Sequence, residues 1–248
     1  MLKVDSVEKS YKSGGLFSNK RQKILNNISF ECGSGECLGI IGESGSGKST
    51  LGRLLIGIEK PDRGTVLFQG ENVGDRKVRS GNISAVFQDY KSSINPFFTV
   101  EEAIMEPLKN KSKVKKEIQN RIDNLLNQVG LNPSYRKRYP HELSGGEVQR
   151  VCIARAISTE PKCILLDEAI SSLDVSVQIQ VLELLKELKN RYNMSYVFIT
   201  HDIQAAAYIC DRVIIFRNGQ IEEVIKIEHL KNVQSDYARK LLDKLITF

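Results

Sequence analysis

The 248-residue sequence has no tryptophan, only 6 prolines and only 3 histidines. Its five cysteines, Cys32, Cys37, Cys152, Cys163 and Cys210, show no Cys-x-x-Cys spacing, so neither structural zinc nor a disulfide framework is predicted. Several lie inside apolar segments, where a free thiol behaves as a small hydrophobe, and a reducing compartment is the expectation. Long apolar runs are also missing. Stretches such as 164–166 and 213–216 fall far short of the ~20 apolar residues a helical membrane span needs. The opening MLKVDSVEKSYK is too polar for a secretory signal. The remaining composition, 41% hydrophobic and 27% charged, is close to the globular average and excludes disordered and collagen-like classes. The length predicts one large domain or two small ones with a substantial core.

Charge says less. The 36 Lys and Arg outnumber the 30 Asp and Glu, for a net +6 and a pI near 9.0. The excess gathers at 20–23, 109–116 and 136–138, which read as solvated faces. Nucleotides, nucleic acid or an anionic membrane surface suit this balance as partners.

Strand signals dominate the first quarter. Leu2, Val4 and Val7 are loosely spaced, Ile28 and Phe30 alternate, and 12–23 reads as a loop rich in Gly, Ser and Lys. Cys37–Ile41 is a short apolar run ending at a glycine cluster, as a buried parallel strand would. Residues 50–58 suit a helix and 65–68 a strand closed by Gly70. In the middle, Val114, Ile118, Ile122, Leu125, Leu126 and Val129 recur at helical spacing up to a stop at Gly130. Helices are predicted again over 146–158 and 175–191, and strands over 163–166, 196–199 and 212–216, the last followed by the hairpin signal Asn218-Gly219. Strands separated by helices predict a mostly parallel α/β sheet, with an inserted helical block at roughly 91–160.

Three motifs carry chemistry. Gly42-Glu43-Ser44-Gly45-Ser46-Gly47-Lys48-Ser49, continued by Thr50, fits the phosphate-binding loop G-x-x-x-x-G-K-[ST] between an apolar strand and a helix. Glycines let backbone N–H groups converge on phosphate oxygens at a helix N-terminus, whose dipole favours anions. Lys48 would reach the β- and γ-phosphates, and the Ser49 hydroxyl would bind Mg²⁺. Second, Cys163-Ile-Leu-Leu-Asp167-Glu168 is an apolar strand ending in two carboxylates. There Asp167 is suited to hold Mg²⁺ through water, and Glu168 to take a proton from an attacking water. Third, Leu143-Ser144-Gly145-Gly146-Glu147-Val148-Gln149-Arg150 opens a helix. Ser144 and Glu147 have capping-box spacing, and Ser144 with two glycine amides can form a second anion site.

Together with a late His201, these motifs closely resemble the ATP-binding cassette (ABC) ATPases, over nearly the whole chain. The resemblance implies a P-loop NTPase fold: a mostly parallel sheet core, an N-terminal antiparallel β subdomain and an inserted helical subdomain. It also implies ATP and Mg²⁺. Tyr11 matches the aromatic that stacks on adenine, and Gln88 the glutamine linking Mg²⁺ and water to a transmembrane partner. Ser172-Leu173-Asp174 matches the loop that crosses a dimer interface, and His201 the histidine that contacts the γ-phosphate. ATP on one subunit's P-loop would be capped by the signature of a second ATPase subunit, identical or different. Two departures stand out: Glu147 replaces the commonest glutamine, and Ala169 replaces a frequent proline.

A finer resemblance lies in Gln88-Asp-Tyr-Lys-Ser-Ser-Ile-Asn-Pro96, Tyr139-Pro-His-Glu-Leu-Ser and Asp167-Glu-Ala-Ile-Ser-Ser-Leu-Asp-Val-Ser176. They are similar to segments of the second ATPase of dipeptide, oligopeptide and nickel importers, as is the 14–21 loop. The usual proline- and histidine-containing tail motif is absent. This implies a peripheral subunit on the cytoplasmic face of the cell membrane, with transmembrane permeases and, indirectly, an extracytoplasmic solute-binding protein as partners. Peptide, nickel or a metal–chelator complex stay open as cargo. A soluble ABC ATPase acting on nucleic acid is the alternative, but its usual paired cassettes, coiled coil or zinc cysteines are missing. A small-substrate kinase would have no use for the signature. The adjacent Phe97 and Phe98 read either as core of the helical block or as a permease-binding surface.

Overall fold

The structure, a computed structural model, describes residues 1–13, 21–89, 93–108 and 115–246. In chain order the elements begin with β1 (Leu2–Lys12), β2 (Arg21–Cys32), β3 (Cys37–Ile41), α1 (Lys48–Leu55), β4 (Arg63–Phe68), β5 (Glu71–Asn72), α2 (Arg76–Arg79) and β6 (Ile83–Phe87). Then come α3 (Val100–Met105), α4 (Lys115–Gln128), α5 (Gly145–Ile157), β7 (Cys163–Asp167) and α6 (Val175–Tyr192). The chain ends with β8 (Ser195–Thr200), α7 (Ile203–Ile209), β9 (Arg212–Arg217), β10 (Gln220–Lys226) and α8 (Asp236–Ile246).

The chain divides into two compact units, one of Met1–Ser80 with Ser195–Phe248, the other of Gly81–Met194. The first contains an antiparallel sheet in the order β2-β1-β4-β5. Here the loop expected over 12–23 is shorter, because β1 continues to Lys12 and pairs with Arg21 at the start of β2. Cross-strand hydrogen bonds override the polar composition of those ends. The remainder of that loop, 14–20, lies outside the described residues. The same unit holds β3 between β8 and β9, parallel to both, with β10 antiparallel to β9. All five residues of β3 are buried, as the unbroken apolar run predicts. Asn218 and Gly219 both have positive φ, which closes the β9–β10 hairpin as the dipeptide signals.

In the second unit, β6 and β7 run parallel in a register that sets Phe87 opposite Asp167. The helical block expected at 91–160 lies inside this unit, which also includes both strands and α6. Part of α4's expected stripe, Val114, and most of the 109–116 charge run lie outside the described residues. Within the stripe, Ile122, Leu125, Leu126 and Val129 are buried and Gly130 has φ +72, so the helix stops where its pattern does. The 136–138 cluster is more than a solvated face. Arg136 pairs with Asp123 at 3.3 Å and Lys137 with Glu101 at 2.5 Å, tying a 3-10 turn, Pro133–Lys137, to α3 and α4.

All five cysteines are buried, and burial pushes the Cys152 thiol up to about 12. Since the thiolate is the nucleophile, alkylation by iodoacetamide is expected to be negligible in the native chain and complete after unfolding. Mass spectrometry of the native adduct checks this; rapid modification would refute the burial.

Candidate functional site

The phosphate loop is built against the first unit's own backbone. Gly42 lies so close to the Phe216 carbonyl that a Cβ there would overlap it. Gly47 adopts φ +106 against Ile24 and Leu25 while capping α1, a conformation that favours glycine. The turn Asn218-Gly219 forms the back wall: the Gly219 N–H donates to the Ser46 carbonyl at 2.8 Å, and the Gly219 carbonyl accepts from the Asn26 N–H at 2.9 Å. Lys48 is only 5% exposed, and its ammonium donates to the carbonyls of Gly42 at 2.8 Å and Glu43 at 2.9 Å. Among the described residues, no hydrogen-bond partner reaches the buried Ser46 hydroxyl. A buried cation and an orphan donor in a glycine-lined cradle fit a polyphosphate, whose oxygens satisfy both.

Sequence reasoning missed two supports of this loop. The Tyr237 hydroxyl on α8 accepts from the Glu43 N–H at 3.4 Å, and the Arg217 guanidinium lies 4.7 Å over the Tyr237 ring. No local pattern signals a contact across that much sequence. Tyr11, read as the adenine platform, is half-buried with its hydroxyl donating to Glu59 at 2.5 Å. Glu59 is in turn held by Arg53 at 2.9 Å and Lys9 at 3.5 Å. The Tyr11 hydroxyl is pushed up, by burial first and the Glu59 bond second. The hydroxyl edge is therefore pinned. His201 is exposed at the start of the turn after β8, and the next residue, Asp202, caps α7 through the N–H groups of Gln204 and Ala205.

In the second unit, Asp167 is buried at the end of β7, and Glu168 follows it with φ +51. That left-handed conformation is costly for a non-glycine residue and is held here by Ser171, whose N–H and hydroxyl both donate to the Glu168 carbonyl. Because β6 and β7 are in register at Phe87 and Asp167, exposed Gln88 and half-buried Glu168 leave the same edge of the strand pair. Ala169, where proline is frequent, is buried. Residues 90–92 of the Gln88 segment lie outside the described residues.

The capping box predicted from spacing is present. The Ser144 hydroxyl accepts from the Glu147 N–H, and Glu147 Oε2 accepts from the Ser144 N–H at 2.7 Å. Gly146 packs so tightly on α6 that a Cβ would come within 2.7 Å of Val177 Cγ1. Gly145, Gly146, Glu147, Ser172 and Asp174 join Ser144 around one cavity of about 400 Å³. Asp174 caps α6 through its backbone, leaving its exposed carboxylate outside the cap.

The family model described as ABC transporter matches residues 25–171, which include all three motifs. The chain belongs to the ABC transporter family. This cassette is 51% identical to the metal-staphylopine import system ATP-binding protein CntF of Staphylococcus aureus strain NCTC 8325, covering 100% of both chains. It is 40% identical to the nickel import ATP-binding protein NikE of Escherichia coli O157:H7, over 99% of this chain and 94% of that one. Its fold matches the dimeric post-hydrolysis structure of the ATP-binding cassette MJ0796 bound to ADP and Pi, with a TM-score of 0.82, 31% identity and 92% of this chain covered against 99% of that one. The cassette binds ATP and hydrolyses it to energise an importer. Among the described residues, no helix is long and apolar enough to cross a membrane.

Proposed function

We propose that this ATPase drives import of a metal bound to a small chelator, acting peripherally on transmembrane permeases with a second ATPase subunit. The observation that carries the cargo reading is identity along the entire length to the metal-staphylopine ATPase, higher than to the nickel ATPase. A solute-binding protein would deliver the cargo, which does not pass through this chain. The test is ATP hydrolysis by the reconstituted importer with its solute-binding protein and either a nickel–chelator complex, free Ni²⁺ or a dipeptide. Stimulation by the complex is the expected result; stimulation by dipeptide alone overturns it.

The roles we assign to the site residues are supported by the geometry within each unit. Tyr11 offers its ring to adenine, anchored by Glu59. Gly42, Glu43, Ser44, Gly45, Ser46, Gly47 and Thr50 shape the phosphate cradle, and Lys48 exchanges two carbonyls for phosphate oxygens. Ser49, Gln88 and Asp167 offer the hard oxygen donors that suit Mg²⁺. When bound, that ion neutralises phosphate charge. Glu168 takes the proton of the attacking water, and His201 donates to the γ-phosphate. Ser144, Gly145, Gly146, Glu147 and Asp174 line the cavity that receives ATP held by the other subunit, the helical subdomain carrying the signature to it.

Coupling is assigned to the segment after Gln88. The two rings differ: Phe97 is 85% exposed and Phe98 half-buried, so the expectation that both pack inside the helical block does not hold for Phe97. The Phe97 N–H donates to Asn95 Oδ1 at 3.0 Å and that of Phe98 to the Asn95 carbonyl at 2.9 Å, which fixes the turn and projects the first ring. An exposed ring on a rigid turn is an anchor for a permease helix. Phe97→Ser is expected to cut transport and permease co-purification by about tenfold or more, the scale of losing one aromatic anchor. The thermal melt and ATP binding should stay near parental, and normal transport would remove Phe97 from the coupling path.

A further inference from the structure

Glu147 places a full negative charge at the N-terminus of α5, on the wall of the cavity lined by Ser144, Gly145 and Gly146. A bare carboxylate there would repel a phosphate, and the structure shows what engages it. Oε2 accepts from the Ser144 N–H at 2.7 Å, and Oε1 accepts from the Tyr135 hydroxyl at 2.6 Å. Both carboxylate oxygens therefore have donors from this chain. The hydroxyl bond is the largest cause holding the Glu147 carboxyl below its usual range, and the carboxylate in turn pushes the Tyr135 hydroxyl up, so the proton stays on the phenol.

Tyr135 is itself fixed. It sits in the 3-10 turn Pro133–Lys137, capped by Asn132, whose Oδ1 accepts from the Ser134 N–H at 2.9 Å. The Tyr135 N–H donates to the Asn132 carbonyl, and the Tyr135 carbonyl accepts from the Arg138 N–H, each at 2.9 Å. The Arg138 carbonyl is bonded by the Val100 N–H at 2.9 Å, at the start of α3. The Arg138 guanidinium lies 4.0 Å over the Tyr135 ring, where a cation is attracted to the π face and strengthens the phenol as a donor. The hydroxyl is thus carried on a hydrogen-bonded turn, with a positive charge over its ring.

We propose that Tyr135, with Arg138 stacked on it, is a positioning residue for the signature. Its hydroxyl pins Glu147 and spreads the carboxylate charge, so that Ser144 and the glycine amides can receive the phosphates of ATP held by the other subunit. This rests on reading the signature as a phosphate site for that second nucleotide. The Tyr135–Glu147 pair is what allows a carboxylate to stand where glutamine is commonest: an uncharged amide needs no such compensation.

The test is steady-state ATP hydrolysis by the full-length chain with its ATPase partner, comparing Tyr135→Phe in the parent and in a Glu147→Gln background. In the parent, loss of one charge-assisted hydrogen bond is expected to lower kcat about tenfold. In the Glu147→Gln background the same change should cost less than about twofold, the non-additivity expected of a directly coupled pair. Equal losses in both backgrounds, as a packing role predicts, or no loss in the parent, overturn the proposal. Arg138→Gln provides a second arm with a smaller loss that also vanishes in the Glu147→Gln background; a loss that persists there overturns the stacking role. Ser144→Arg separates the two readings. If it hydrolyses ATP like the parent, the phosphate-site reading fails; if it is inactive while Tyr135→Phe is unaffected, only the positioning proposal fails.

Discussion

Glu168→Gln is expected to lower ATP hydrolysis by about 10²–10⁴-fold, the range for loss of a general base, while ATP binding persists. The amide keeps the size of the side chain but cannot accept the proton of the attacking water. The backbone at this position should survive the change, because two Ser171 bonds to the Glu168 carbonyl hold it at φ +51 and the amide leaves those bonds in place. The phosphate cradle is likewise untouched, so bound ATP should persist and the variant should accumulate as an ATP-bound dimer. Multiple-turnover phosphate release beside equilibrium binding and gel filtration measures both halves. Turnover within about tenfold of the parent would remove Glu168 as the base.

Almost as large an effect is expected from separating the two halves of the composite site. Lys48→Ala removes a buried ammonium that has exchanged water for two carbonyls. Ser144→Arg fills the entrance of the 400 Å³ cavity with a long cationic side chain. Each variant alone should hydrolyse ATP at least about 10²-fold more slowly, the scale of losing preorganised charge stabilisation at a transferring phosphoryl group. Mixed in equal amounts, they should recover activity, since the mixed dimer has one intact P-loop facing one intact signature. A mixture no more active than the separate chains counts against a shared site. Where the natural partner is a different ATPase, that subunit takes the complementary variant.

The P-loop and the signature cap were legible because their information is local. The spacing of Gly42 to Thr50 and of Ser144 to Glu147 specifies hydrogen bonds within a few residues, and the structure makes those of the capping box. The buried strands β3 and β7 were equally readable from unbroken apolar runs. The ends of β1 and β2 were not: Lys12 and Arg21 are polar, and only antiparallel pairing puts them in a sheet. Asn218-Gly219 was readable as a hairpin turn, but its second task, bonding Ser46 from behind, was not.

By itself, then, the sequence determined which chemistry this protein performs. Glycines that free backbone N–H groups, one lysine, a strand-end carboxylate pair and a capped helix are the set to which we assign nucleotide hydrolysis. Only the tertiary structure decided how that set is held. Tyr237 reaches the Glu43 amide, Glu59 pins Tyr11, and Tyr135 holds the unusual Glu147. The Tyr237 and Glu59 contacts join residues far apart in sequence, and even the nearer Tyr135–Glu147 bond has to cross from one turn to the next helix. Their formation depends on strand register and helix packing, which no periodicity along the chain encodes.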